Sequence, residues 1–138
     1  MKTRSQIGRS NVTKGKAFER WVVNQLQAAG IACERNIAQS RSAKREGCDV
    51  EGTDWWIECG YGKTIDPRSK YAQASSDWYA AADDLRPIVV VTKRPHCEPQ
   101  ATMALAEAAT LYVGPMGRSS DGPLVTMRFV DWLEWVKP

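Results

Sequence analysis

Residues 86–92 read RPIVVVT, with four consecutive β-branched apolar side chains, Ile88 to Val91, between a proline and a threonine. The run is short for a helix, and side chains stiff at χ1 suit an extended backbone. Successive side chains of a strand point to opposite faces, so a strand that is apolar throughout has to be covered on both. A chain built around such a segment needs layers on each side of a sheet. With 138 residues and 43% apolar content, it has material for one core of this kind rather than two.

The segments before it supply those layers. In TKGKAFERWVVNQLQAAG (13–30), Phe18, Trp21, Val22, Leu26 and Ala29 recur at helical spacing, with Thr13 placed to cap the start and Gly30 to end the helix. Residues 1–13 are polar and basic without periodicity and are expected to form a flexible basic arm, leaving 14–138 as a single domain. IACERNIA (31–38) reads as a strand, QSRSAKREG (39–47) as a basic serine-rich loop, and CDVEGTDWWIECG (48–60) as a hairpin turning at residues 51–54. Asp66-Pro67 is a helix start, and Tyr71, Ala74, Trp78, Ala82 and Leu85 form one face of the helix that follows. Beyond residue 95 the pattern favours a short helix at 101–109, a loop at 114–123, a strand at 124–129 and a terminal helix at 130–136. The expected fold is α/β, a mixed β-sheet flanked by helices in the order αβββαβ, with a C-terminal strand and helix added.

Several function classes fall away. No stretch approaches the roughly 18 apolar residues of a membrane span, and the N-terminus lacks the apolar segment of a secretory signal, so a cytoplasmic protein is expected. Cys33, Cys48, Cys59 and Cys97 form no CxxC pair, which argues against a zinc ribbon or a disulfide framework. His96-Cys97 sits between Pro95 and Pro99 and reads as a loop. Charge is divided unevenly: residues 1–48 carry ten Lys/Arg against three acids, and residues 49–138 carry nine against thirteen. A basic surface beside an acidic cluster suits a polyanion held against bound cations.

The acids are placed with some care. On the 55–60 strand, Trp56, Glu58 and Gly60 share one face and Trp55, Ile57 and Cys59 the other. A glutamate inside this apolar run is costly without a partner, and the hairpin brings Asp49 beside it. Two adjacent carboxylates repel unless a divalent cation lies between them, and oxygen donors suit Mg²⁺, with Mn²⁺ as substitute. Glu19 falls at the edge of the first helix's apolar stripe, either as a third acid aimed at the packing partner or as a rim residue paired with Arg20 or Lys16. Phosphodiester hydrolysis at such a site commonly enlists a lysine, which a strand would place two residues after the glutamate, about 6–7 Å on. That position is Gly60. Lys63 is the near substitute if residues 60–62 fold back, and Lys93 a more distant one.

Asp49, the nine-residue gap and Ile57-Glu58-Cys59 resemble the PD-(D/E)XK nuclease signature. With GKAFERWVV, Arg35, the serine-bearing loop, ECxxGK and Gln73, residues 14–93 are similar to archaeal-type Holliday-junction resolvases and their phage relatives. The final PLVTMRFVDWLEWV resembles the closing strand and helix of the phage members. The resemblance implies a restriction-endonuclease-like core, with Glu19, Asp49, Glu58 and the Cys59 backbone carbonyl as metal ligands. It makes Ser40 or Ser42, Arg35 and Gln73 phosphate- or metal-shell candidates, and with the basic charge of the first third the expected DNA-binding residues are Lys14, Lys16, Arg20, Arg35, Ser40, Arg41, Ser42, Lys44, Arg45 and Gln73. The expected function is a homodimeric endonuclease that resolves four-way DNA junctions by paired incisions, in the host cytoplasm if phage-encoded. Gly60, in place of the signature lysine, leads to the expectation of slow or absent cutting. The alternatives are an inactive junction-binding protein of the same fold, or a restriction-type or nicking endonuclease. The tryptophans read first as core or dimer-interface residues, with Trp132 and Trp135 on the last helix open to an interface.

Overall fold

Among the described residues, six strands lie side by side in the order in which they occur along the chain. In a computed structural model, which describes residues 3–36, 47–81, 84–113 and 122–138, they are β1 (Glu34–Arg35), β2 (Val50–Glu51), β3 (Trp56–Tyr61), β4 (Ile88–Lys93), β5 (Gln100–Ala104) and β6 (Leu124–Arg128). The helices are α1 (Arg4–Ala28), α2 (Pro67–Ala80), α3 (Leu105–Val113) and α4 (Phe129–Val136). All neighbouring strands are antiparallel except β3 and β4, which run parallel over six paired residues and are connected through α2. The expected α/β class, with a mixed sheet flanked by helices, is what the chain adopts.

The alternation of β4 accounts for the layering. Val89 and Val91 join Val22 and Leu26 of α1, Ile57 of β3, and Phe129 and Trp132 of α4 in one core. Ile88 and Val90 join Trp56, Tyr71, Ala74 and Ala104 in a second, beneath α2. Val89, Val90 and Val91 are all fully buried, as an apolar strand between two layers requires.

The structure departs from the sequence reading in four places, the first being the strand expected at 31–38, which among the described residues is confined to Glu34–Arg35. Residues 4–13, expected as an arm, belong to α1, and Thr13 is not its cap. Thr3 takes that role in a capping box: its Oγ1 accepts the Gln6 N–H at 3.3 Å, and Gln6 Oε1 accepts the Thr3 N–H at 2.9 Å. This reciprocal cap lets the helix begin on residues that carry no apolar stripe. The helix expected at 101–109 is a strand to Ala104 and helical only from Leu105. Pairing with both β4 and β6 satisfies the strand's backbone and buries Ala101 and Met103, which outweighs the helix preference of alanine. Leu85, expected on the buried face of α2, lies beyond its end and is 76% exposed.

Candidate active site

Asp49 precedes β2 and is joined twice to β3. Its N–H donates to the Ile57 carbonyl at 3.0 Å, and its Oδ2 accepts the Cys59 N–H at 2.8 Å. Val50 is the register partner of Ile57, so two residues stand against one, the count of a β-bulge. The carboxylate thus takes the place of a missing ladder acceptor, which holds it at the level of Glu58.

Glu58 is 2% exposed. Its Oε1 accepts the indole N–H of Trp56 at 3.2 Å, and the Asp49 carboxylate acts on it from the neighbouring segment. Burial, then the charge and side chain of Asp49, push its carboxyl up to about 9, against the opposing influence of Lys70 and the Trp56 N–H. Glu58 therefore holds its proton more tightly than a free carboxyl does. On its other side the Trp56 ring lies 5.6 Å from the guanidinium of Arg86, which pairs with Asp84 at 2.6 Å and Glu51 at 3.3 Å.

Glu19 reaches the same neighbourhood from α1. Its carboxyl is raised by burial and then by Asp49, and lowered by Arg35, whose Nε donates to Glu19 Oε2 at 3.2 Å, and by Lys70. Cys59 is buried, and burial followed by Asp49, Glu19 and Glu58 hold its thiol well above the usual range. The three acids share one electrostatic environment centred on Asp49. Among the described residues, however, no three His, Cys, Asp or Glu side chains are gathered tightly enough to hold a metal ion as they stand. Glu19 is turned onto Arg35, and one Asp49 oxygen is committed to the backbone.

Of the cations expected near Gly60, Lys63 lies in the exposed turn after β3. Lys93 is held elsewhere: its Nζ donates to the Cys97 carbonyl at 2.9 Å and the Arg94 carbonyl at 3.3 Å, and lies 5.9 Å from the Tyr61 ring centroid. The cation whose charge acts on Glu58, Glu19 and Cys59 alike is Lys70 of α2. The sequence reading missed it. Its signal was available in the spacing to Gln73, since residues three apart share a helix face.

Lys70 and Gln73 line a groove of about 320 Å³ with Tyr61, Ile65, Asp66 and Ser69. Lys14, Lys16 and Arg20 are exposed on α1. Ser40, Arg41, Ser42, Lys44 and Arg45 lie outside the described residues. No helix among the described residues is long and apolar enough to cross a membrane. Comparison of the chain with protein-family models, curated proteins and solved structures finds no match.

Proposed function

We propose that the chain is a metal-dependent endonuclease of restriction-endonuclease-like architecture that acts on four-way DNA junctions as a homodimer. The observation that carries this reading is the meeting of two carboxylates, the buried Glu58 of β3 and the half-buried Asp49 just before β2, which is bonded to the next residue of that strand. Such a pair of oxygen donors suits Mg²⁺ or Mn²⁺ in place of the Glu58 proton. Asp49 and Glu58 would hold the ion, with Glu19 and the Cys59 carbonyl as the further ligands named by the resemblance.

A bound divalent ion supplies charge neutralisation at the phosphate and a more acidic water. Hydrolysis forms a bond from the water oxygen to phosphorus and breaks the bond from phosphorus to one bridging sugar oxygen. One water proton ends on that leaving oxygen, and the other stays on the new phosphate monoester or passes to solvent. Around this step, the Cys59 N–H fixes the Asp49 carboxylate and the Trp56 indole fixes that of Glu58. The groove beside Lys70 and Gln73 leaves room for a phosphate backbone.

Affinity would come mainly from phosphate contacts by Lys14, Lys16, Arg20 and the basic segment 39–47, which recognise shape and not base sequence. Val130 and Trp135 of α4, 49% and 38% exposed, offer apolar surface for two-fold pairing, and a two-fold dimer provides the two sites that paired incisions need. Gly60 favours a second reading, a junction-binding protein without cleavage.

The deciding experiment is cleavage of a labelled four-way junction against linear duplex of the same sequence, with Mg²⁺ and with EDTA. Cutting of the junction that needs Mg²⁺ supports the nuclease. Tight junction binding without cutting gives the second reading, and equal affinity for junction and duplex in moderate salt removes the junction assignment.

A further inference from the structure

Gly60 has the extended backbone of β3 and pairs with Thr92 of β4, so nothing in its conformation calls for glycine. What calls for it is the space above. A Cβ built there would lie 2.8 Å from Cδ1 and 3.2 Å from Cγ1 of Ile65, and 3.5 Å from Cδ of Lys70. The stem of Lys70 therefore runs across the position from which a lysine at residue 60 would project.

The placement of Lys70 is built in. Asp66 caps α2, with its Oδ2 accepting the Ser69 N–H at 3.3 Å and the Ser69 hydroxyl at 2.8 Å, and the Lys70 N–H donates to the Asp66 carbonyl at 3.0 Å. Pro67 at the start of the helix fixes the backbone direction further. Lys70 thus leaves a rigid first turn, on the face of the sheet that carries Glu58.

We propose that Lys70, reaching over the side-chain-free Gly60, supplies the ammonium that a lysine two residues after Glu58 would otherwise bring to the Asp49–Glu58 site. This rests on the nuclease reading above, and it replaces the expectation of an impaired enzyme with that of a working one. The ammonium balances the charge that develops on the phosphate as the water oxygen bonds to phosphorus and the sugar oxygen departs. It donates hydrogen bonds and keeps its proton throughout. Its charge acts on Glu58, Glu19 and Cys59 without an ion pair to any of the acids among the described residues, which leaves it free to meet a phosphate.

The test compares the unaltered chain, Lys70→Ala, Gly60→Lys and the double variant Gly60→Lys/Lys70→Ala in single-turnover junction cleavage, with Mn²⁺ binding by calorimetry alongside. Lys70→Ala should cut about 10²-fold more slowly or worse, the scale of a positioned acid-base or charge-stabilising group, while binding Mn²⁺ as well as or better than the parent. The double variant should recover most of the rate, because the new side chain can follow the path that the Lys70 stem vacates once Ile65, whose Cδ1 and Cγ1 lie 2.8 and 3.2 Å from the added Cβ, turns aside. Gly60→Lys alone should bring no gain.

Undiminished cleavage in Lys70→Ala would overturn the role of Lys70 and leave the nuclease reading standing. Loss of both cleavage and Mn²⁺ binding in Lys70→Ala, without recovery in the double variant, would make the lysine structural and overturn the role as well. A parent chain that neither binds Mn²⁺ nor cuts would overturn the nuclease reading and the lysine's role together.

Discussion

Asp49 and Cys59 are joined by a side chain where a sheet would ordinarily use its backbone: the Asp49 Oδ2 takes the Cys59 N–H at 2.8 Å. The same carboxylate faces Glu58 and raises its affinity for a proton. One residue therefore serves the register of the hairpin and the chemistry of the site, and substitutions can separate the two.

Asp49→Asn keeps an oxygen for the Cys59 N–H and removes the charge, whereas Asp49→Ala removes both. Asp49→Ala is expected to lose about 1–3 kcal/mol of stability, the cost of an unsatisfied buried donor, and Asp49→Asn distinctly less. Urea denaturation in EDTA measures the difference. Both variants should lose Mn²⁺ binding by calorimetry, and equal stability of the two would show that the hydrogen bond to Cys59 carries little.

The pH dependence follows from Glu58. Its folded carboxyl is raised from the ordinary 4.5 to about 9. A folded state that holds its proton more tightly than the unfolded chain is favoured at low pH, so this contribution is complete below about 4.5 and is lost as pH rises towards 9. Without metal, the urea midpoint should fall from pH 5 to pH 9, and Glu58→Gln should flatten that fall. Mn²⁺ affinity should rise over the same range, since the ion takes the place of the proton. A parent midpoint that rises from pH 5 to pH 9 would contradict the raised carboxyl.

Arg35 pairs with Glu19 at 3.2 Å. Arg35→Ala should free that carboxylate and take a positive charge from the site, so Mn²⁺ binding should tighten while junction binding weakens. Parallel calorimetry and gel-shift titrations read both. Unchanged metal affinity would place Glu19 outside the metal site.

Exposed cations on α1 should set the salt response. Replacing Lys14, Lys16 and Arg20 by alanine should weaken junction binding and reduce the slope of log K against log salt by about 0.9 for each phosphate no longer neutralised. Titrations at a series of salt concentrations, from low to physiological, test this. An unchanged slope would move the DNA path away from α1.

Glu58 also marks the line between what was legible in the sequence and what was not. Period-two alternation along 55–60 put it on the Trp56 face, and the hairpin brought Asp49 to it, because strand geometry and a short turn act on neighbours in the chain. The same local rules picked out the Asp66-Pro67 helix start and the buried run at 88–91. They failed at Ala101–Ala104, where backbone pairing with β4 and β6 decided between strand and helix, and at the start of α1, where the Thr3–Gln6 cap carried no apolar pattern.

By itself, the sequence determined a layered sheet and two acids side by side, since both follow from spacings of a few residues. Only the tertiary structure decided which cation lies over Gly60. Lys63 and Lys93 are the nearer choices along the chain and along the sheet, yet the one lies in an exposed turn and the other is bonded to the 94–97 turn. Lys70 arrives from a separate helix, through space that Gly60 leaves open. The reach of a long side chain across a packed layer depends on how α2 seats on the sheet, and that seating is set by the burial of Tyr71 and Ala74 against Trp56 and Val90, residues far apart in the chain.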